Sequence, residues 1–408
     1  MVLPETLVVL LAGGRGERLG PLTEQRAKPA VPFGGLYRIV DFAASNCINS
    51  GLTRILVLVQ YRARSLNRHI RQGLSVYFNP ARGEFIESLS PQQQKGEQWF
   101  QGTADAVYQN IFAIREANPE AVLVLSGDHI YKMDYRHMLR FHTELRADVT
   151  VGAVETPRSQ VSGFGVLQVD NEERVVRFQE KPKDPDPIPG DPNLCLASMG
   201  IYVFRPEVLE RVLEADAADA QSNHDFGRDI IPKLIGHCAL YAFRFIDENK
   251  KAAKYWRDVG TVDAYYWANM DLVGIDPQLN LYDSEWPLHT SPLTAPPAKF
   301  VFGDEHPGGR MGQSIDSLVS PGCIISGGRV FRSVLSPFVR VNSFALVEDS
   351  VVFENVQIGR HASVRRSIID KDVRVPEGMV IGHDIEEDRR RFTVTDSGIV
   401  VISKGAEL

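Results

Sequence analysis

The chain has 408 residues, too many for one ordinary hydrophobic core, so two domains are expected. Hydrophobic residues make up 43%, charged residues 24%, and the formal net charge is −7, which argues against a general binder of nucleic acid or membrane surface. Cys47, Cys195, Cys238 and Cys323 form no CxxC pair, and no apolar run reaches a membrane span, so neither zinc, a disulfide framework nor a membrane anchor is indicated. With a strand pattern starting a few residues after Met1, the expectation is a cytoplasmic protein.

In chain order, "TLVVLLAGG", "RILVLVQY", "AVLVLSGDH", "DVTVGAVE", "GFGVLQVD" and "SMGIYVF" read as strands. Between them "DFAASNCINSG", "ADAVYQNIFAIREA" and "DYRHMLRFHTELRA" carry helical spacing. Continuous Val/Leu runs joined by helices predict an α/β domain with a mostly parallel mixed sheet, Rossmann-like, over residues 1–275. In such sheets ligands collect at the carboxyl ends of the strands, where "GGRGER" and "GDH" stand.

Prolines punctuate residues 276–311, which read as a linker lying on the surface. Beyond Gly312 aliphatics recur every six residues: Leu318, Ile324, Val330; Leu346, Val352, Ile358, Val364; and Ile369, Val375, Ile381. The phase slips between these series. This hexapeptide pattern predicts a parallel β-helix over 312–408, set against the alternative of an ordinary strand-rich domain.

The loop Gly13, Gly14, Arg15, Gly16 follows the first strand, but it lacks both the third glycine of a dinucleotide fingerprint and the Gly-Lys-Ser/Thr of a P-loop. Backbone N–H groups converging there, with Arg15, Arg18 and Lys28, suit a nucleoside triphosphate or sugar phosphate. Each charge-assisted hydrogen bond contributes about 1.5–3 kcal/mol. Asp128 and Asp258 are two carboxylates whose convergence would make a magnesium site, against the blander reading of each as a cap or turn residue. No nucleophile constellation is present, and a phosphate nucleophile needs none, because its second ionisation near about 6 leaves it dianionic at neutral pH. Arginine and metal clamps would then carry the catalysis.

Taken together, "AGGRGERL", "RAKPAV", "SNCINSG", "WFQGTADAVYQN", "SGDHIYKMDY", "FQEKP", "ASMGIYVF", "HDFGRDIIPK", "YWRDVGT", "PPAKFV" and "VRRSIID" resemble, in order along nearly the whole chain, the glucose-1-phosphate adenylyltransferases. The resemblance implies transfer of the adenylyl group of ATP to glucose 1-phosphate, giving ADP-glucose and pyrophosphate with Mg2+. It also implies a left-handed β-helix, a homotetramer, and control by anionic metabolites.

By position it implies that Asp128, Arg18 and Lys28 are catalytic and that Asp128 and Asp258 hold the metal. Gly13, Gly14, Arg15, Gly16, Gly102, Thr103 and Asp105 would bind ATP. Glu180, Lys181, Ser198, Tyr202, Asp225, Phe226 and Trp256 would bind glucose 1-phosphate, Lys181 at the sugar phosphate. Gln25 and Leu36 stand where some relatives carry lysines, so the expected effector groups are Arg38, Arg64 and the run Arg389, Arg390, Arg391. The effector site is pictured with Arg38 meeting that run. Phe100 stands where a tyrosine is common.

Rival readings are another sugar nucleotidyltransferase using UTP or dTTP, a non-catalytic regulatory subunit of the same family, and an acyltransferase on the β-helix using His361 and His383. Intact Lys28, Arg18 and Asp128 weigh against the second.

Overall fold

A computed structural model describes residues 3–91, 99–249, 254–304 and 306–408. The main strands of the first domain are β1 (Thr6–Leu11), β2 (Arg54–Leu58), β3 (Phe85–Leu89), β4 (Ala121–Ser126), β5 (His129–Tyr131), β6 (Val149–Pro157), β7 (Gly165–Val169), β8 (Val175–Glu180), β9 (Leu194–Phe204), β10 (Leu240–Arg244) and β11 (Trp256–Asp258). The helices that matter here are α1 (Ile39–Asn49), α2 (Arg64–Gln72), α3 (Thr103–Gln109), α4 (Ile111–Ala117), α5 (Tyr135–Glu144), α6 (Pro206–Ala217), α7 (Val262–Met270) and, at the far end, α8 (Ile385–Arg391).

Central β1 shows why apolar runs give this sheet. Its alternate residues point to opposite faces. Val8 and Leu10 join Ile55, Val57, Leu123 and Leu125 in one core. Leu7 and Val9 join Leu56, Leu58, Val122 and Val124 in another. A strand buried on both faces has no polar side to alternate with.

Strand β1 runs parallel to β2 and β4, and β2 is parallel to β3. On the other side β9 turns antiparallel to β4, β6 and β7, and β8 is antiparallel to β7, so the sheet is mixed. The helical spacing of residues 104–117 resolves into two helices broken at Asn110, which is buried and donates from Nδ2 to Ala106 O at 2.8 Å. A side chain competing for a helix carbonyl is the usual reason asparagine interrupts a helix.

The stretch from Asp276 lies along α1. Trp286 Nε1 donates to Asn46 Oδ1 at 2.9 Å, and Thr290 Oγ1 donates to Asp41 Oδ2 at 2.6 Å. Lys299–Val301 already pairs in parallel with Ile324–Ser326, so the first coil of the second domain starts within the stretch read as linker.

The second domain stacks three parallel sheets into a left-handed β-helix. Register partners such as Leu346 with Ser363 and Ser363 with Val380 set a coil of 17 residues, the differences 363 − 346 and 380 − 363. Three hexads lose one residue per coil, which explains the phase slip. Val330, Val347, Val364 and Ile381 stack inside as one apolar column. Between the domains, Phe33, Phe42, Tyr265 and Tyr266 pack with Val334, Val351, Phe353 and Ile368 in a shared core. No helix among the described residues is long and apolar enough to cross a membrane.

Candidate active site

Adjacent parallel strands deliver the two halves of the site. Leu11 of β1 is in register with Ser126 of β4, so the glycine loop and Asp128 leave the sheet side by side. Asp258 arrives differently: β11 pairs antiparallel with β5, Asp258 opposite His129. That pairing brings together two aspartates far apart in sequence.

Lys28 lies between them. Its Nζ donates to Asp128 Oδ2 at 2.7 Å and to Asp258 Oδ1 at 3.2 Å, and the residue is only 7% exposed. Burial alone would raise Asp128, but the Lys28 charge, with His129 and hydrogen bonds from Lys28 and Ser126, holds its carboxyl far below the usual range. Burial works against the Lys28 charge too, and the two aspartates overcome it and raise the ammonium above its ordinary value. His129 Nε2 is 3.5 Å from Asp128 Oδ1.

Ligand oxygens of Asp128 and Asp258 and a nitrogen of His129 lie within 4.8 Å of one another. Two carboxylates that both accept from one ammonium fit a hard divalent cation, which prefers oxygen donors.

The glycine loop is shaped by close approach. Gly16 has φ +66, and a Cβ there would stand 3.0 Å from the Lys28 Cβ. A Cβ on Gly260 would be 3.0 Å from Asp258 Oδ1 and 3.1 Å from Arg18 Nη2, so both side chains border this glycine. Gly13, Gly14, Arg15, Gly16, Arg18, Lys28, Gly102, Thr103, Asp128 and Asp225 line one cleft of about 560 Å³. Asp105 is not among its walls: its Oδ2 accepts from Gln101 N at 2.9 Å and Gln109 Nε2 at 2.8 Å, a task local to α3 and the turn before it.

Gln60, Tyr61, Phe100 and Ser126 line the same cleft without having been assigned a ligand role from the sequence. Their common signal is position: each sits at or just beyond the carboxyl end of a strand or before the GTADAV turn.

The other expected sugar-side groups gather around β9, which carries a bulge between Ser198 and Ile201. Bulges recur beside active sites because they re-aim side chains. Here Gly200, φ +66, lies under His129 and Ser126. Glu180 Oε2 approaches Gly227, and Glu180 Oε1 pairs with Lys181 Nζ at 2.7 Å. Lys181 has φ +46, a left-handed conformation that costs a non-glycine residue energy.

Thr103 Oγ1 donates to Asp225 Oδ2 at 3.1 Å and accepts from Phe226 N at 3.0 Å, tying the two halves of the cleft together. Phe226 itself is buried and stacks under Tyr202, centroids 5.5 Å apart, so its ring is core. Trp256 packs its ring on His129 and Phe164, and its buried Nε1 finds no acceptor among the described residues.

The expected effector groups each have local partners. Arg38 Nη1 donates to Ser65 O and Oγ, both at 3.1 Å, and burial lowers its guanidinium, with Asp41, Arg26, Glu354 and Arg68 as its charged neighbours. Arg389 and Arg390 pair with Glu386 at 2.8 Å and Glu387 at 3.2 Å in their own helix α8, and Arg391 covers the Phe392 ring. A charge run with acids three residues before it satisfies itself. Arg64 instead lines a second cleft with Arg68 and Arg71. The four cysteines are buried and unbridged.

A family model described as nucleotidyl transferase matches residues 7–274, and one described as GlmU-like C-terminal hexapeptide matches residues 296–402. The chain is 56% identical to a glucose-1-phosphate adenylyltransferase of Koribacter versatilis, over 99% of this chain and 96% of that one. It is 55% identical to the protein of that name in Rhodopirellula baltica, covering 98% and 90% of the two chains, and 52% identical to that of Methylococcus capsulatus, covering 98% and 93%. With a nucleotidyltransferase cleft, a hexapeptide β-helix and these full-length similarities, the chain belongs to the glucose-1-phosphate adenylyltransferase family.

Proposed function

We propose that this chain transfers the adenylyl group of ATP to glucose 1-phosphate, forming ADP-glucose and pyrophosphate for α-glucan synthesis, with Mg2+ held by Asp128 and Asp258. The observation that carries the reading is the convergence of both carboxylates on Lys28, which with Asp128 lines the glycine-loop cleft. A divalent ion held by that pair would supply charge neutralisation between two phosphates.

The protein's own part is alignment and cation placement. Arg15, Arg18 and the loop amides hold the triphosphate, and Lys28 stays charged because its aspartate partners keep it so. Glu180 and Lys181 take the sugar and its phosphate, with Ser198, Tyr202, Asp225 and Trp256 forming the rest of that pocket. The phosphate oxygen of glucose 1-phosphate attacks the α-phosphorus in line, and pyrophosphate leaves. No protein base is required, since the nucleophile is already ionised. We further assign a homotetramer and an anionic metabolite effector, bound on the arginine side of α2, where Arg64 lies, and near Arg38.

Pyrophosphate release from ATP plus glucose 1-phosphate with magnesium tests the reading. D128N should lower turnover by at least about 10²–10³, the scale of losing one charge-stabilising group. Faster turnover with UTP or dTTP than with ATP would replace this assignment by another sugar nucleotidyltransferase.

A further inference from the structure

The glycine loop carries two arginines, and the structure treats them differently. Arg18 reaches toward Gly260 and Asp258. The Arg15 side chain is 65% exposed on a segment flanked by Gly14 and Gly16, so its own backbone does little to fix it. Two groups touch it. Glu17 pairs through one oxygen at 3.3 Å, itself largely exposed. The ring of Tyr61 lies beneath the guanidinium, its centroid 5.0 Å from Cζ. Tyr61 is seated in turn on Trp99, the two rings 5.1 Å apart and 6° from parallel. Arg15 and Tyr61 both line the cleft.

Resting on the adenylyl-transfer reading, we propose that Tyr61 is a positioning residue for Arg15: its ring, backed by Trp99, holds the guanidinium at the cleft mouth for the triphosphate. The two contacts on Arg15 are not equivalent. A carboxylate competes with phosphate for the same N–H edges and must be displaced when the anion arrives. An aromatic face attracts the cation without net charge and leaves the guanidinium edge free to donate. The ring therefore narrows where Arg15 sits while keeping its donors available, which lowers the ordering cost of binding. Trp99 matters only as the surface on which the ring rests.

The test separates Y61L from Y61F. Y61L should raise KM for ATP about two- to fivefold, the strength of one exposed cation–π contact expressed as a ratio, while kcat and KM for glucose 1-phosphate stay within about twofold. Y61F keeps the face and should recover most of the ATP affinity. In a double-mutant cycle R15A/Y61L should bind ATP no worse than R15A alone, measured by calorimetric titration of ATP as well as by KM. Unchanged ATP affinity in Y61L, or effects of the two substitutions that multiply, would overturn the assignment. A wild-type protein that binds ATP but makes no ADP-glucose would sink the parent reading, and the titration would still decide the role of Tyr61. One that does not bind ATP would remove both.

Discussion

Arg26, two residues before Lys28, and Asp370, on the β-helix, form a two-pronged ion pair with both N–H···O distances at 2.8 Å. Both side chains are almost wholly buried, 5% and 1% exposed. The pair ties the loop that delivers Lys28 to the second domain. Removing one member leaves the other charged and unpaired in the interior, which costs about 3–5 kcal/mol. R26A and D370A should each lower the unfolding free energy read from urea melts by that order. The apolar double variant R26M/D370L should recover part of the loss, because a desolvated pair is worth far less than its separate members. Equal losses in the singles and the double would contradict this.

The Lys28–Asp128 pair makes a pH prediction. The Asp128 carboxyl is depressed, so its stabilising contribution is present above its unfolded value of about 3.9 and is lost as pH falls through the folded value. Lys28 is raised, so its contribution is present below its unfolded value of about 10.5 and disappears only as pH rises through the folded one. Between about pH 5 and 9 neither group titrates. The thermal-stability gap between wild type and D128N should therefore be constant from about pH 6 to 8 and narrow below about pH 4. The acid limb of the rate profile should fall near about pH 6, where glucose 1-phosphate loses its second charge, rather than follow this carboxylate.

A column of serines climbs the β-helix. Ser317, Ser333, Ser350 and Ser367 each donate from Oγ to the carbonyl two residues back, at 2.8, 2.7, 2.6 and 2.6 Å. The first three each accept from the backbone N–H of the serine one coil above, at 3.0, 3.1 and 3.2 Å. The residues before them, Asp316, Arg332, Asp349 and Arg366, turn the corner with φ between +43 and +48. Ser333, Ser350 and Ser367 are fully buried. In S350A the N–H of Ser367 loses its acceptor in a place water does not reach, so a loss of about 1–3 kcal/mol is expected in thermal or urea melts. S317A, at the half-buried base of the column, should lose less. A smaller loss in S350A than in S317A would show that the column does not bear on stability.

Much of this was written locally. The strands of the first domain announced themselves because both faces of β1 are covered, and the β-helix did so because one aliphatic per hexad must point inward. The break at Asn110 was hidden, since an asparagine inside an apolar spacing does not show which carbonyl it will take. The cleft from Gly13 to Lys28 and Asp128 was legible from strand ends. The meeting of Asp128 with Asp258 was expected as a metal pair and through the family resemblance, but local pattern could not derive it, because it depends on the β5–β11 register, a pairing between distant short strands. Asp105 and Arg389 to Arg391 went the other way. The family resemblance suggested Asp105 and the run of charge suggested the arginines, but neighbours at helical spacing already satisfy Asp105, Arg389 and Arg390, and Arg391 lies over the Phe392 ring.

Gly102 tests whether the two halves of the cleft work as one unit. Its backbone is extended, so the glycine is required by contact rather than by conformation. A Cβ would stand 2.2 Å from His224 O and 2.4 Å from Asn223 O. The same join is fastened by Ala104 N donating to His224 O at 2.7 Å and by Thr103 holding Asp225 and Phe226. In G102A the turn at Gly102 and the segment from Asn223 to Phe226 must move apart, since neither backbone oxygen can yield alone. Overpacking of this kind costs about 1–3 kcal/mol. The substitution should lower thermal stability by that order and raise KM for both ATP and glucose 1-phosphate, because each substrate leans on one side of the join. A rise confined to ATP would mean that the sugar pocket holds its shape without this contact.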